Sequence, residues 1–197
     1  MKIILGTGVG PAHLRHRDAF NELAGGPAVL LEVLEQRLAL TGNRPSQSWR
    51  IAAYRRALEQ RLVAGNTFYA ESLSRDPLAV AETLLNWRDE LLMNGLEFDD
   101  RALNSDRIDC LREVENSYEP EFRCSEGERI RAVIDRIPTN HFGVTSVQVL
   151  DPREWLPHLW QSLVEKLQPS EYCPPAPEPC GATDLGRFQQ ALLNDGK

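Results

Sequence analysis

The chain opens Met1-Lys2-Ile3-Ile4-Leu5-Gly6-Thr7-Gly8-Val9-Gly10-Pro11. A short apolar run closed by glycine reads as a buried strand ending in a turn. A strand followed by a glycine-rich loop is how a phosphate-binding P-loop begins. That motif needs the spacing GxxxxGK, then Ser or Thr opening a helix. The strand and the glycines are here, but the lysine is not. His13 or Leu14 stands near where the hydroxyl belongs. Without the lysine a β- or γ-phosphate is not neutralised, and without the hydroxyl a magnesium ligand is lost. Two readings stay open. In one, Gly6, Gly8 and Gly10 are the nucleotide-binding remnant of a degenerate, non-hydrolytic P-loop. In the other they form a plain strand-to-helix turn.

Residues 144–150, Val-Thr-Ser-Val-Gln-Val-Leu, are the clearest strand, being rich in β-branched residues. The helical period runs between the two strands. Pro27 starts a helix with Leu30, Val33, Leu34 and Leu38 at spacings of three and four, and Gly42 lies past its end. Ser48 opens a second, with Ile51, Tyr54, Leu58 and Leu62 on one face and Gly65 as its stop. Thr67–Ser74 is a short third segment. Asp76-Pro77 sets up a cap for the strongest helix, which ends at Gly95. Another helix is expected from Ser105 to about Tyr118. Ser125-Glu126-Gly127-Glu128 has the form of a capping box for the next, closed by Pro138. Asp151-Pro152 starts a last long helix, which Pro157 should kink or restart.

Two strands so far apart share a sheet only if the helices between them form an inserted or overlying layer. The expected fold is therefore helix-rich α/β: a small parallel sheet with a large helical part. Its domain spans residues 1–168, with the helical insertion at about 44–140. Residues 169–182 hold five prolines and read as an exposed surface loop. Residues 183–197 form a short terminal helix, with Leu185, Phe188, Leu192 and Leu193 on one side, expected to continue in a longer parent.

Composition narrows the classes. Of 197 residues, 42% are hydrophobic and 26% charged, which excludes disorder and collagen-like repeats. No apolar run reaches the roughly 18 residues of a membrane helix, and glycine arrives too early for a signal peptide. The expected compartment is the cytoplasm, with no membrane partner. A net charge of −7 is not that of a duplex-DNA binder. The charge is uneven, however: Arg44, Arg50, Arg55, Arg56 and Arg61 face a single Glu59 within 44–61. Arg50, Arg55, Arg56 and Arg61, on the outward side of the second helix, are the candidate DNA contacts. The competing reading is an ordinary solvated helix face.

Catalytic constellations are missing. There is no GxSxG elbow. None of the three lysines (Lys2, Lys166, Lys197) follows Glu in the Glu-x-Lys spacing of a nuclease centre. Glu82, Asp89 and Glu90 read as a solvated face. His13 and His16 have no evident third ligand, and the cysteines at 110, 124, 173 and 180 include no CxxC pair, so neither metal nor cofactor is expected. Trp87, Trp155 and Trp160 fall among apolar positions and read as core residues. Trp87-Arg88 as a base-stacking platform is the alternative.

Phe68-Tyr69-Ala70-Glu71-Ser72-Leu73, Asp76-Pro77 and Leu84-Leu85-Asn86-Trp87-Arg88-Asp89-Glu90-Leu91 resemble the amino-terminal part of AddB-like PD-(D/E)xK nuclease family proteins, which are related to superfamily-one DNA helicases. Gly26-Pro27 with Leu34-Glu35-Gln36-Arg37-Leu38, Asp151-Pro152 through Trp160, and Asp184 through Leu193 resemble further blocks. The resemblance implies a helicase-like core with a helical insertion and a role in DNA processing of the double-strand-break-repair type. It implies a non-catalytic scaffold or DNA guide, since (exo)nuclease residues would lie beyond Lys197. Its partners would be DNA, met through the rest of the parent, and a helicase–nuclease subunit. The rivals are a free-standing NTP-using enzyme and an acidic helical protein–protein adaptor without nucleic-acid contact.

The missing lysine and hydroxyl predict no binding of magnesium–ATP in the physiological range. Isothermal titration should give no heat of binding. Micromolar affinity would restore the NTP-using enzyme.

Overall fold

The computed structural model describes residues 1–6, 21–42, 44–63, 67–98, 105–137, 143–168 and 170–171. Four strands form one parallel sheet: β1 (Lys2–Leu5), β2 (Glu22–Gly25), β3 (Ser146–Val149) and β4 (Ser170–Glu171), in the order β2-β1-β3-β4. Lys2 pairs with Glu22 on one side and Ser146 on the other; Gln148 and Val149 pair with Ser170 and Glu171. Ile3, Ile4 and Leu5 are all buried, as expected of a central parallel strand covered on both faces. The β2 sequence, Glu-Leu-Ala-Gly, has no β-branched residue and gave no strand signal. Pairing with β1 outweighs its weak propensity. Ser170 and Glu171, expected in a loop, add to the sheet edge instead.

The helices are α1 (Pro27–Arg37), α2 (Gln47–Val63), α3 (Ala70–Arg75), α4 (Pro77–Met93), α5 (Asp106–Ser117), α6 (Glu126–Arg136) and α7 (His158–Lys166). Their ends follow from local chemistry. The Asp76 side chain accepts from the Ala79 N–H at 3.1 Å and Pro77 occupies the first turn, so α4 starts there. Gly95, at φ +89°, lies just past its end. The capping box of α6 forms in both directions between Ser125 and Glu128. Before α7 the chain makes a short 3-10 turn at Arg153–Trp155, and the helix restarts after Pro157. Gly65, Pro138, the rest of the proline-rich stretch and the expected terminal helix lie outside the described residues.

Two hydrophobic cores result. One unites the sheet with α1, α6 and α7, through Ile3, Leu5, Leu34, Ile130, Val147 and Leu163. The other belongs to α2–α5, through Tyr54, Leu58, Leu73, Leu85, Val114 and Tyr118. The helices that leave the sheet are thus α2–α5, while α6 returns to it. Helix α4 packs on α2 and also on α6, joining the two cores. A Cβ at Gly127 would meet the Met93 nitrogen at 3.2 Å, so glycine permits this close approach of α6 to α4.

The junction is held by a buried charge. Arg88 of α4 is 1% exposed. Its Nε and Nη2 donate to the two carboxylate oxygens of Glu115 on α5, at 2.7 and 3.0 Å. Its terminal nitrogens also donate to Asp89, at 2.9 Å, and to Glu128 on α6. Asp89 in turn accepts two bonds from Arg50 of α2. The Arg88 guanidinium lies 5.1 Å from the Tyr118 ring centroid, and Tyr118 meets Tyr54 edge-on. Four helices therefore share one network.

Burial works against the Arg88 charge, yet Glu115 and Glu128 hold its pKa above the ordinary arginine value. Burial likewise pushes the Glu128 carboxyl up. The Arg88 guanidinium and the Ser125 N–H and hydroxyl outweigh it and hold the carboxyl below the usual glutamate value. Arg88→Met should cost about 3–5 kcal/mol by urea denaturation, because it strands buried carboxylates. A lowered carboxylate pKa stabilises the fold above the unfolded glutamate value, and that contribution is lost as pH falls through the folded value. Stability should therefore decline below about pH 4.3, and less steeply in Glu128→Gln.

Candidate functional site

The carboxyl end of β1 lies where the strand order reverses, with β2 on one side and β3 on the other. In open parallel sheets ligands bind in the crevice at that point. Gly6 sits there, buried, its N–H donating to the Gly25 carbonyl at 3.2 Å. It is thus tied to the neighbouring strand. Gly8 and Gly10 lie outside the described residues, as do His13 and His16.

The arginine-rich helix presents a different picture from its sequence. Arg50 points inward: it is buried and bound to Asp89, to the Phe122 carbonyl and to Gln47. Burial opposes its charge, and Asp89 more than compensates, so its pKa is raised. On the inner side of α2 it reaches across to Asp89 of α4, which ties it to the Arg88 network. Arg55 pairs with Glu59 at 3.3 Å, Arg56 with Glu119 at 3.1 Å, and Arg61 with Glu113. Arg44 pairs with Glu35, a buried carboxylate that also takes both bonds of a bidentate Arg129. Every arginine of residues 44–61 therefore faces a carboxylate, most of which come from outside that stretch. A window of sequence counted only Glu59.

Asp89 differs from its expected role as well. Glu82 and Glu90 are exposed, but Asp89 is half-buried between two arginines. No group of three potential metal ligands occurs among the described residues. Cys110 and Cys124 are free, and burial pushes both thiols up, away from the reactive thiolate. Cys173 and Cys180 lie outside the described residues.

The tryptophans divide. Trp160 is a core residue, 2% exposed, with its indole N–H donating to Glu126 at 2.7 Å. Trp87 and Trp155 are not: they are 47% and 76% exposed. The inner stripe of α4 is Ala81, Leu84, Leu85, Arg88 and Leu92. At 100° per residue Trp87 falls about 120° from its middle. The polar Arg88 had disguised the stripe. Trp87 instead forms one wall of an open groove of about 350 Å³, with Phe68, Tyr69, Thr83 and Arg107. The Arg107 guanidinium stands 5.5 Å from the Phe68 ring centroid, and Phe68 meets Tyr69 edge-on at 5.3 Å. Sequence reasoning missed Phe68 and Arg107, which lie on different segments and meet only through the packing of α3–α5.

No protein-family model matches the chain, and neither does any curated protein or solved structure.

Exposed ion pairs contribute about 0–1 kcal/mol each, so reversing Arg55 and Arg56 to glutamate should move stability little. With these arginines already paired, duplex DNA binding by anisotropy should be weak and unchanged by the reversal. Salt-dependent binding that the reversal abolishes would show that the helix tracks phosphates after all.

Proposed function

We propose that the chain is a non-catalytic, helicase-like module of a DNA-processing nuclease of the double-strand-break-repair type. It acts as a scaffold in the cytoplasm. One observation carries the reading: a small parallel sheet, with α2–α5 inserted between β2 and β3, whose first strand runs into a glycine-rich sequence lacking the P-loop lysine and hydroxyl. That combination fits an NTPase-like core that has given up hydrolysis. The sequence blocks at 68–73, 76–77 and 84–91 agree with it, and they map to α3, α4 and the segments beside them. Among the described residues, no helix is long and apolar enough to cross a membrane.

Scaffolding suits the pairing of the arginines better than guidance of DNA along α2. The same pairing favours a second reading, an acidic protein–protein adaptor. Trp49 and Trp155, both largely exposed, are the apolar surface it would offer.

The test is genetic. Deleting the coding sequence should sensitise cells to agents that break both DNA strands, and the wild-type chain should restore resistance. Unchanged survival would remove the repair role and leave the adaptor.

A further inference from the structure

We propose that the groove between α3, α4 and the start of α5 is a base-stacking site for single-stranded nucleic acid. A base would lie against Trp87 and Phe68, with a flanking phosphate on Arg107. The inference rests on the DNA-processing reading and names the contact through which this chain would meet DNA.

Three observations converge on the groove. Trp87 and Phe68 keep 47% and 41% of their surfaces open although both line it. Two exposed aromatic side chains on facing elements are costly to leave in water unless something covers them. Arg107 is the second observation. It is exposed and pairs with no carboxylate among the described residues, unlike all five arginines of residues 44–61. Its guanidinium rests over the Phe68 ring and lines the groove, where no carboxylate among the described residues competes with an anion for it. Third, the groove has the volume of a small-ligand site, about 350 Å³. Planar rings with a cation at the edge complement a planar base carrying a phosphate, and stacking tolerates any base because each has a π-face.

Charge decides which form of nucleic acid fits. Duplex binding needs many phosphate contacts, and the arginines of α2 are already paired within the chain. In a duplex the base faces are also stacked on each other. A single strand can present an open base and needs only one phosphate contact here. Binding should therefore favour single strands, and its salt slope should be shallow, near −0.7 for one phosphate.

The experiment uses the full chain with a fluorescein-labelled oligothymidylate of about a dozen nucleotides, followed by anisotropy at several salt concentrations. Wild type should bind the single strand more tightly than the matching duplex. Trp87→Ala should weaken binding about 5- to 150-fold, and Phe68→Ala and Arg107→Glu should also weaken it. Trp155→Ala, which removes an exposed tryptophan outside the groove, should leave binding unchanged. Melting temperatures of the Trp87 variant and wild type should agree, separating lost contact from lost fold. Equal affinity for duplex, or affinity unchanged in Trp87→Ala, overturns the proposal. So does the absence of single-strand binding at low ionic strength. If a synthetic peptide of residues 172–181 binds with Trp87 dependence where the oligonucleotide does not, the groove is a protein-docking site and the proposal falls. The genetic test of the repair role is independent of all these outcomes.

Discussion

Arg88 is the constraint around which the helical part is organised. A guanidinium with 1% exposure must have its donors satisfied, or its burial would cost several kcal/mol. Glu115 supplies a bidentate partner from α5, Glu128 one from α6, and Asp89 passes the charge on to Arg50 of α2. Each acceptor comes at a fixed distance and direction, unlike an apolar contact. The network therefore sets the angles at which four helices meet, a role of orientation more than of net stabilisation.

Glu128 shows how closely local and long-range structure are coupled. The same carboxylate completes the α6 capping box with Ser125 and accepts from Arg88. The start of α6 is therefore positioned by α4. Helix α6 then carries Ile130 and Val133 into the sheet core, and Trp160 of α7 reaches back to Glu126 in the first turn of α6. The two cores are connected through this one helix end, with Gly127 letting the backbones approach.

The distribution of charge follows. Arginine is abundant, but most of it is engaged in joining elements: Arg44 and Arg129 converge on Glu35, Arg56 reaches Glu119, and Arg61 reaches Glu113. Among the described residues, the arginines so paired have little left for polyphosphate. Among the described residues, the groove of Trp87 and Phe68 keeps two aromatic side chains open.

Much of the architecture was legible in the residues alone. Local rules place the helices, because caps and breakers act within a few positions: Asp76-Pro77, Gly95, the Ser125–Glu128 box and Pro157 lie at or beside the ends they were expected to mark. The run at 144–150 and the opening Lys2–Leu5 declared themselves by composition, and their separation implied the inserted layer. The tertiary structure alone decided β2 and β4, whose residues become strands by pairing with neighbours already in the sheet. It alone decided that Arg88, and not Trp87, turns inward, since the carboxylates that make an inward arginine affordable lie 27 and 40 positions away. Helical periodicity ranks side chains by hydrophobicity, so it assigned the Trp87 indole to the core and gave no reason to bury the Arg88 guanidinium. Glu115 and Glu128, brought to Arg88 by folding, turn the guanidinium inward and leave the indole at the surface.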